Sequence, residues 1–527
     1  MRGRFDLVLR TDAVPRLVAA LCIGTFLFIS LRHLDSAPPV YEDEPWQAST
    51  AYRLMTSGVF GSDLFAGFHD MQDRYYGFMP LHPLLLSVDF RVLGVGLVQA
   101  RLETVVEGAL ILLVTFLVGQ SLFGAWVGAL ACVVLTFLRW TGLTYIQWTG
   151  IPLIDFSRIA RYDPLAALVG VTSLLMYLRA RRDSHPPLLI ASGVLAGLSG
   201  LAHLYGLFWL VALAILTLWD AGCVRCGARR VAWLLIGAIL PWLPYAAYVA
   251  ADVADWRGQT AGYANRFELL NPAWYLDNLV QEYHRYGPGL GPLGPAVALR
   301  IGVWVAFIGV PVALAMLACR AIRRADRSAR AIVVPGILLP LLFAVFIHLK
   351  LVNYALLELP IQSIALGWLV VLCWKTRRGI ARSVVSVVVI AVCLEGGIQL
   401  AAFERAAAET PPYTVFAQSM RQFVPQDARI LGLHTYWFGF EHQPYRSFLV
   451  PLLLADEGMP LDQALEKLPA DILLFDGRLR TYFGPDGDAS QTDRERLSSW
   501  MRRHDAELVG TVDDPTYGRM EIYRLSS

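Results

Sequence analysis

Three consecutive acidic residues, Glu42, Asp43 and Glu44, follow closely on the first long apolar run of the sequence. Carboxylates close to a membrane surface are costly unless they are solvated or used. A carboxylate held within hydrogen-bond reach of a substrate can act as a general base. This loop is therefore a candidate catalytic site. The alternative is an acidic loop that is simply exposed to water, which would fit the same spacing.

A second charged group stands directly before another long apolar run and contains Arg158, Arg161 and Asp163. Ionisable side chains at the edge of a membrane span often serve function. Arginine suits the binding of phosphate oxygens because its planar fork donates two parallel hydrogen bonds. The alternative is interfacial snorkelling, with Arg161 paired to Asp163.

Two single cationic residues, His203 and Lys350, lie at the ends of further apolar runs. Each alone is typical of an anchor at the membrane interface. Taken with the two charged loops, they could place cations on one side of a cavity and carboxylates on the other. That arrangement would suit a reaction in which an anionic group leaves.

Membrane helices must position these residues, because 56% of the 527 residues are hydrophobic and only 17% are charged. A helix that crosses the hydrocarbon core needs about 20 apolar residues, and roughly eleven segments approach that length. The near-neutral net charge of +2 argues against a nucleic-acid partner. The predicted spans are 14–31, 103–120, 124–140, 164–180, 188–202, 204–219, 231–251, 298–319, 331–349, 354–374 and 381–401.

The loops on one side of these spans are rich in arginine, and the positive-inside rule makes that side cytoplasmic. We therefore expect the N-terminus inside, the first apolar run retained as a signal anchor, and the polar tail 402–527 outside. The predicted domains are a membrane module, 1–401, with a first outer loop, 32–102, and an extracytoplasmic domain, 402–527. The fifth and sixth spans are short enough to form a re-entrant pair.

The polar tail alternates strand-like and helix-like pieces, which predicts a small α/β domain. The strand-like pieces are 428–433, 471–476, 507–512 and 520–525, and the helix-like pieces are 413–423, 461–468 and 494–503. The predicted fold class is thus a polytopic α-helical membrane protein with a small extracytoplasmic α/β domain at its C-terminal end.

The ordered motifs resemble those of the family 39 glycosyltransferases, which belong to the GT-C fold group. The resemblance covers about 30–375, and the tail is also similar to the C-terminal domain of that family. The motifs that carry it are Asp43-Glu44, Pro80-Leu81-His82-Pro83, Arg158 to Asp163, Leu195 to His203, and Lys350 followed by Tyr354 and Pro360. Protein O-mannosyltransferases and the aminoarabinose transferase of lipid A belong to the same group.

This resemblance implies transfer of a sugar from a polyprenyl-phosphate carrier to an acceptor hydroxyl or amine, on the outer face of the bacterial inner membrane and with inversion. Asp43 would be the general base, Glu44 would orient the acceptor or hold the loop, and Asp163 would contact the acceptor or support the site. The donor phosphate would be bound by Arg158, Arg161, His203, Lys350 and Tyr354. The partners would be the lipid-linked sugar, membrane lipid and a cell-envelope glycan, lipid or protein.

A monophosphate leaving group can be met by cationic side chains alone, so no cofactor is required. A divalent metal near Asp43, Glu44 and Asp163 stays open. Two other functions also stay open: a lipid-linked sugar transporter or flippase, since a charged cavity could bind a headgroup for translocation, and an inactive assembly subunit whose tail recruits a partner.

Overall fold

The structure is a computed structural model that describes residues 2–139, 149–183, 185–264, 266–286, 300–376 and 379–526. The last residue of the predicted span 124–140, the first part of the loop that follows it, 141–148, and the first two residues of the predicted span 298–319 lie outside the described residues. Contacts divide the chain into two compact units. Unit 1 contains residues 1–32, 104–248 and 265–405, and unit 2 contains residues 33–103, 249–264 and 406–527.

Unit 1 is helical throughout its described residues, as expected for a chain that must satisfy its backbone hydrogen bonds inside a membrane. Some of its helices continue a few residues past the unit boundaries. The helices are Arg2–Leu31, Leu97–Phe123, Ala125–Phe137, Pro152–Ser157, Tyr162–Asp183, Pro186–Ala202, Leu207–Asp220, Val224–Ile239, Trp242–Ala250, Pro272–Gln281, Tyr283–Tyr286, Ile301–Trp304, Val310–Arg323, Arg327–Phe346, Leu359–Lys375 and Gly379–Glu409. A π-helical segment, Val305–Gly309, and two 3₁₀ segments, Leu204–Gly206 and Val352–Leu357, connect some of them.

Each of the predicted apolar segments contains a helix. Within the described residues, six helices are long and apolar enough to cross a membrane, and a seventh span results if Val224–Ile239 and Trp242–Ala250, bent by 52°, count as one. The helices of the predicted fifth and sixth spans are among four shorter apolar ones. The polytopic helical class is confirmed, while the number of full crossings stays a prediction.

Small residues allow the helix Pro186–Ala202 to pack closely against its neighbours. A Cβ atom on Gly193 would lie 2.0 Å from the carbonyl oxygen of Leu234, and one on Gly197 would lie 2.4 Å from that of Ala238. Close backbone approach at glycines four residues apart is a common way for membrane helices to associate. On another side, Ser199 Oγ donates a hydrogen bond to the Ala166 carbonyl oxygen at 2.8 Å. These contacts fix the end of the helix that is followed by His203.

Unit 2 combines the first predicted outer loop with the tail. Its helices are Asp43–Ser57, Leu81–Leu93, Val253–Ala264, Tyr413–Arg421, Leu449–Asp456, Leu461–Glu466, Gly477–Tyr482 and Gln491–Arg503, with 3₁₀ segments at Asp63–Phe65 and His434–Gly439. Its strands are β1 (Ile430–Gly432), β2 (Tyr445–Ser447), β3 (Ile472–Phe475), β4 (Glu507–Asp514) and β5 (Gly518–Arg524). The predicted α/β character of the tail is confirmed.

The five strands form one mixed sheet in the order β2-β1-β3-β5-β4. β1 is parallel to β2 and to β3, whereas β5 is antiparallel to β3 and to β4. The central strand β3 is a continuous apolar run in which Leu473 and Leu474 are fully buried, as is typical of a strand covered on both faces. The turn between β4 and β5 uses Gly518 at φ 72°, a backbone conformation that favours glycine.

Candidate functional site

The acidic loop of unit 2 leads directly into a helix, because Asp43 is the first residue of the helix Asp43–Ser57. Carboxylates are favoured in the first turn, where the free backbone N–H groups and the helix dipole are positive. The Asp43 side chain is half-buried, whereas the adjacent Glu44 is fully buried. The two neighbouring carboxylates therefore occupy different environments.

Glu44 is held by Arg101, a residue that the sequence interpretation did not single out. The Arg101 guanidinium donates to both carboxylate oxygens of Glu44, with Nε to Oε1 at 2.7 Å and Nη2 to Oε2 at 2.7 Å. The backbone N–H of Tyr41 donates to Glu44 Oε2 at 2.7 Å. Arg101 also donates to the carbonyl oxygens of Leu34, Pro38 and Pro39. This network favours the loop-holding role for Glu44 over acceptor orientation.

A second part of the first loop approaches Asp43 through Tyr75. The Tyr75 ring is fully buried, and its hydroxyl interacts electrostatically with the Asp43 carboxylate. Burial raises the pKa of Tyr75 well above its ordinary value, so the hydroxyl stays neutral. Gln259 holds this segment by donating to the carbonyl oxygens of His69 and Arg74 and accepting from the backbone N–H of Tyr76.

The tail of unit 2 contacts the acidic loop through Arg478. Its guanidinium forms an ion pair with Glu42 at 3.0 Å and donates to Thr435 Oγ1 at 2.6 Å. The Trp46 ring, three residues after Asp43, packs edge-on against His434 of the tail at 6.0 Å between ring centroids. The loop and the tail thus form one structural unit around Asp43.

In unit 1, Arg158 is buried and its donors are directed at the end of the first helix. Nη1 donates to the carbonyl oxygens of Ile29 and Ser30 at 2.6 and 2.9 Å, and Nη2 donates to that of Arg32 at 2.8 Å. The last carbonyl groups of a helix have no intrahelical partner, and a cation there is also favoured by the helix dipole. These contacts favour helix capping for Arg158 over phosphate binding.

Arg161, three residues later, has a different environment. Its Nε donates to Asp163 Oδ2 at 2.8 Å and its Nη2 donates to the Tyr162 hydroxyl at 3.1 Å. Asn353 Nδ2 donates to the other oxygen, Asp163 Oδ1, at 3.2 Å. Arg161 and Asp163 are both buried, so this pairing lies inside the protein rather than at a solvated interface.

His203 lies among tyrosines. Its ring centroid is 4.7 Å from that of Tyr162, 4.3 Å from that of Tyr205 and 5.3 Å from that of Tyr354. The backbone N–H of Tyr205 donates to His203 Nδ1 at 3.1 Å. A nitrogen that accepts a hydrogen bond carries no proton, so the imidazole is neutral in this arrangement. His203 then supplies a ring face and one neutral donor, rather than the positive charge expected of a phosphate ligand.

Lys350 shares a carboxylate with a second cation, Arg285. Lys350 Nζ donates to Glu282 Oε2 at 2.8 Å, and Arg285 Nε donates to Glu282 Oε1 at 2.6 Å. The Arg285 guanidinium lies 5.0 Å from the ring centroid of Phe343 and 5.8 Å from that of Tyr354. Two cations on one carboxylate leave a net positive charge in a buried, aromatic environment.

Tyr354 links these groups, since its ring contacts both His203 and the Arg285 guanidinium. Unit 1 therefore brings together Arg161, Asp163, His203, Tyr354 and Lys350 in one contiguous cluster, which we call the cation–tyrosine cluster together with Glu282 and Arg285. Arg158 is used separately, at the end of the first helix. Asp43 and Glu44 belong to unit 2.

No protein-family model matches the chain, and no curated protein sequence matches it significantly. The crystal structure of ArnT from Cupriavidus metallidurans bound to undecaprenyl phosphate is similar, with a TM-score of 0.60 and 16% identity over 96% of this chain and 98% of that chain. The oligosaccharyltransferase from Archaeoglobus fulgidus in complex with Zn and sulfate aligns with a TM-score of 0.58 and 14% identity, over 97% of this chain and 73% of that one. AglB from the same organism, in complex with an inhibitory peptide and a dolichol-phosphate, gives a TM-score of 0.57 and 12% identity, over 98% of this chain and 75% of that one.

The chain has the GT-C fold. The GT-C fold extends over both units, because these alignments cover nearly the whole chain.

Two functional candidates of this GT-C chain, Glu282 and Arg285, were missed from sequence. They lie in a segment rich in aromatic residues, a composition that is typical of the membrane interface. The one available signal was the pair of opposite charges three residues apart, a spacing at which side chains meet on a helix. Their closeness to Lys350 depends on the fold and is not visible in the spacing.

A metal near Asp43, Glu44 and Asp163 stays a prediction. Glu44 and Asp163 are each already paired with an arginine, which reduces their capacity to ligate a cation. Among the described residues, no group of three ligating side chains contains any of these three carboxylates.

Proposed function

We propose that the chain is a membrane glycosyltransferase that moves a sugar from a polyprenyl-phosphate carrier to an acceptor hydroxyl or amine on the outer face of the bacterial inner membrane. The observation that carries the proposal is the cation–tyrosine cluster, where Arg285 and Lys350 share the single carboxylate of Glu282. The GT-C fold supports it, since two of the similar structures were solved with undecaprenyl phosphate and dolichol-phosphate.

The donor phosphate would bind to the excess positive charge of this cluster. Arg285, Lys350 and Arg161 are fixed by hydrogen bonds and packing before any ligand arrives, so little reorganisation is needed when phosphate charge develops. Tyr354 would add a hydroxyl beside them. Arg158 would cap the first helix and His203 would contribute a neutral ring. Of the phosphate-binding residues expected from sequence, Arg161, Lys350 and Tyr354 would therefore keep that role.

Asp43 would be the general base. Of the two adjacent carboxylates, Glu44 has both oxygens bound to Arg101, whereas Asp43 is half-buried at the start of its helix. The acceptor O–H or N–H would lose its proton to Asp43 as its oxygen or nitrogen attacks the anomeric carbon. The bond from that carbon to the phosphate oxygen would break, and the lipid phosphate would leave with the electron pair. A single displacement of this kind inverts the anomeric carbon.

The test is sugar transfer by the purified protein in nanodiscs, with a panel of polyprenyl-phosphate sugars and a cell-envelope extract as acceptor. Asp43→Asn should reduce transfer by about 10²-fold or more, because a positioned base contributes roughly 10²–10⁴ in rate. Glu42→Gln is the matched control, since Glu42 is an exposed neighbour of Asp43 that pairs with Arg478 at the surface. Near-normal transfer by Asp43→Asn would reject the base assignment.

The same assay separates the alternatives. Movement of a labelled lipid-linked sugar across vesicles without acceptor glycosylation would favour a transporter. Absence of both transfer and donor binding, with the tail required for assembly of a partner, would favour an inactive subunit.

A further inference from the structure

A second group of cationic side chains lies in unit 1, outside the cation–tyrosine cluster. Arg139 follows the helix Ala125–Phe137, and Arg300 precedes the helix Ile301–Trp304. Arg139 lies within electrostatic range of Arg300 and Glu395. These three residues have no place in the proposed glycosyl transfer.

Close backbone packing brings these side chains together. A Cβ atom on Gly302 would lie 2.1 Å from the carbonyl oxygen of Arg139, and one on Gly396 would lie 2.3 Å from that of Phe137. The backbone N–H of Gly302 also donates to Glu395 Oε2 at 2.8 Å. The end of one helix, the start of a second and the middle of the helix Gly379–Glu409 therefore meet at one point.

The charges at this point are incompletely satisfied. Among the described residues, Arg139 Nε, Arg300 Nη1 and Glu395 Oε1 are buried and have no hydrogen-bond partner. Such groups are rare in native proteins, because burying an unpaired polar group is costly. A further carboxylate that interacts electrostatically with Arg139, Asp155, has its oxygens hydrogen-bonded to Thr149 and Gly150. Two guanidinium groups thus face one carboxylate, and an anion would satisfy the remaining donors.

The surroundings indicate where such an anion would come from. Beside the two arginines, Ile301 and Trp304 are 40% and 49% exposed, and beside Glu395, Leu394 and Ile398 are 60% and 70% exposed. Exposed apolar side chains on a membrane-spanning helix are suited to contact with lipid chains. By the predicted topology, Arg139 and Arg300 lie at the outer ends of the spans 124–140 and 298–319, and Glu395 lies in the outer half of the span 381–401.

We propose that Arg139 and Arg300 bind the phosphate of an anionic phospholipid in the outer leaflet, whose acyl chains lie along Ile301, Trp304, Leu394 and Ile398. Arginine donates paired hydrogen bonds to phosphate oxygens, and basic pockets between membrane helices are a known means of binding lipid headgroups. Glu395 positions Gly302 and lowers the net charge of the site. This site does not depend on the proposed sugar transfer.

The experiment uses the full-length protein, delipidated in detergent and titrated with phosphatidylglycerol under native mass spectrometry. The double variant Arg139→Gln/Arg300→Gln should weaken phosphatidylglycerol binding by about tenfold or more, since two charge-assisted contacts are lost. Arg382→Gln is the matched control, because it removes an exposed cation near the other end of the helix that carries Glu395, and it should leave binding unchanged.

Glu395→Gln should change the affinity for phosphatidylglycerol in the opposite direction. The amide oxygen can still accept the Gly302 hydrogen bond, while the negative charge beside the arginines is removed, so phosphatidylglycerol should bind several-fold more tightly. A purely structural role for the arginines would not produce this gain, which keeps the proposal testable if the double variant folds poorly.

The source of the phosphate is tested by competition. Phosphatidylcholine should bind more weakly than phosphatidylglycerol, and millimolar inorganic phosphate should not displace the lipid. Displacement by inorganic phosphate would overturn the lipid assignment in favour of a free-anion site. Wild-type phosphatidylglycerol affinity in the double variant, or no gain in Glu395→Gln, would overturn the site itself.

Discussion

Two regions of the molecule use buried cations in opposite ways. In unit 2, Arg101 is bound by both oxygens of Glu44 and by three backbone carbonyl groups, so its positive charge is neutralised and its donors are occupied. In unit 1, Arg285 and Lys350 share the single carboxylate of Glu282 and retain a net positive charge. The first arrangement holds a loop, and the second can receive an anion. The partners of a cation, rather than its type or position in sequence, distinguish the two roles.

The largest expected effect concerns the ion pair of Arg101 and Glu44, which holds the loop in unit 2. Arg101→Gln would leave Glu44 buried and unpaired, and breaking a buried ion pair by removing one partner costs about 3–5 kcal/mol. We expect a corresponding fall in the free energy of unfolding, measured by denaturant titration in detergent. The reference variant is Arg91→Gln, a surface change in the same unit whose cost should be small. Wild-type stability in Arg101→Gln would break the comparison, because it would show that the network does not hold the loop.

A second prediction concerns Arg158, which resembles Arg101 in its contacts although it lies in unit 1. Arg158→Gln would release the carbonyl groups at the end of the first helix, and a loss of roughly 3 kcal/mol in unfolding free energy follows if two of the charged hydrogen bonds are lost. Donor affinity of the folded fraction, measured by titration with a polyprenyl phosphate, should stay unchanged. A variant of normal stability with weakened donor binding would instead restore the phosphate-binding role expected from sequence.

A third prediction tests whether the cation–tyrosine cluster binds the donor phosphate. Lys350→Gln should weaken binding of a polyprenyl phosphate by about tenfold to 100-fold, the equivalent of one charged hydrogen bond. Stability should change less than in Arg101→Gln, since Arg285 still pairs with Glu282. The measurement is equilibrium binding in nanodiscs, with Lys467→Gln, a lysine of the tail, as the control. Equal affinities for both variants would mean that the cation–tyrosine cluster is structural.

Much of the fold was predictable from sequence because a membrane chain must bury apolar helices of fixed length. Each predicted apolar segment contains a helix, and the pieces predicted as strands in the tail correspond to β1, β3, β4 and β5. β2 was missed because Tyr445–Ser447 is only three residues long and, unlike the apolar β1, contains the polar residues Arg446 and Ser447. Whether the short fifth and sixth segments cross the membrane depends on tilt and packing, which hydropathy does not report.

The candidate site was less predictable, because side-chain partners come from distant parts of the chain. Arg158 and Arg161 look alike in sequence, yet one caps a helix and the other pairs with Asp163. The carboxylate of Glu282 reaches Lys350 only through the fold. Glu44 gave no sequence signal that distinguished it from Asp43, because its partner Arg101 lies in another segment.

A fourth prediction concerns the pH dependence of stability that His434 of unit 2 confers. Burial, with a smaller contribution from Arg478, lowers the pKa of His434 to about 3 from the ordinary value of 6.5. Between these values the unfolded chain binds the proton and the folded chain does not, so stability rises with pH across this window and falls as the pH drops below about 6.5. His434→Gln should flatten this part of the pH profile of unfolding. An unchanged acid slope in the variant would assign the sensitivity to other groups.

The smallest expected effect concerns His203, a neutral residue of the cation–tyrosine cluster. Its Nδ1 accepts from the Tyr205 backbone, so the ring is neutral, and His203→Phe keeps the ring face that packs against Tyr162 and Tyr354. We expect donor affinity to change by less than roughly threefold, well below the change in Lys350→Gln, when both are titrated with the same polyprenyl phosphate. A loss as large as that of Lys350→Gln would show that His203 binds the phosphate as an imidazolium. The cation–tyrosine cluster would then carry one more positive charge than Arg161, Arg285 and Lys350 supply. His203 would have to be counted among the cations of the cluster rather than among its aromatic rings.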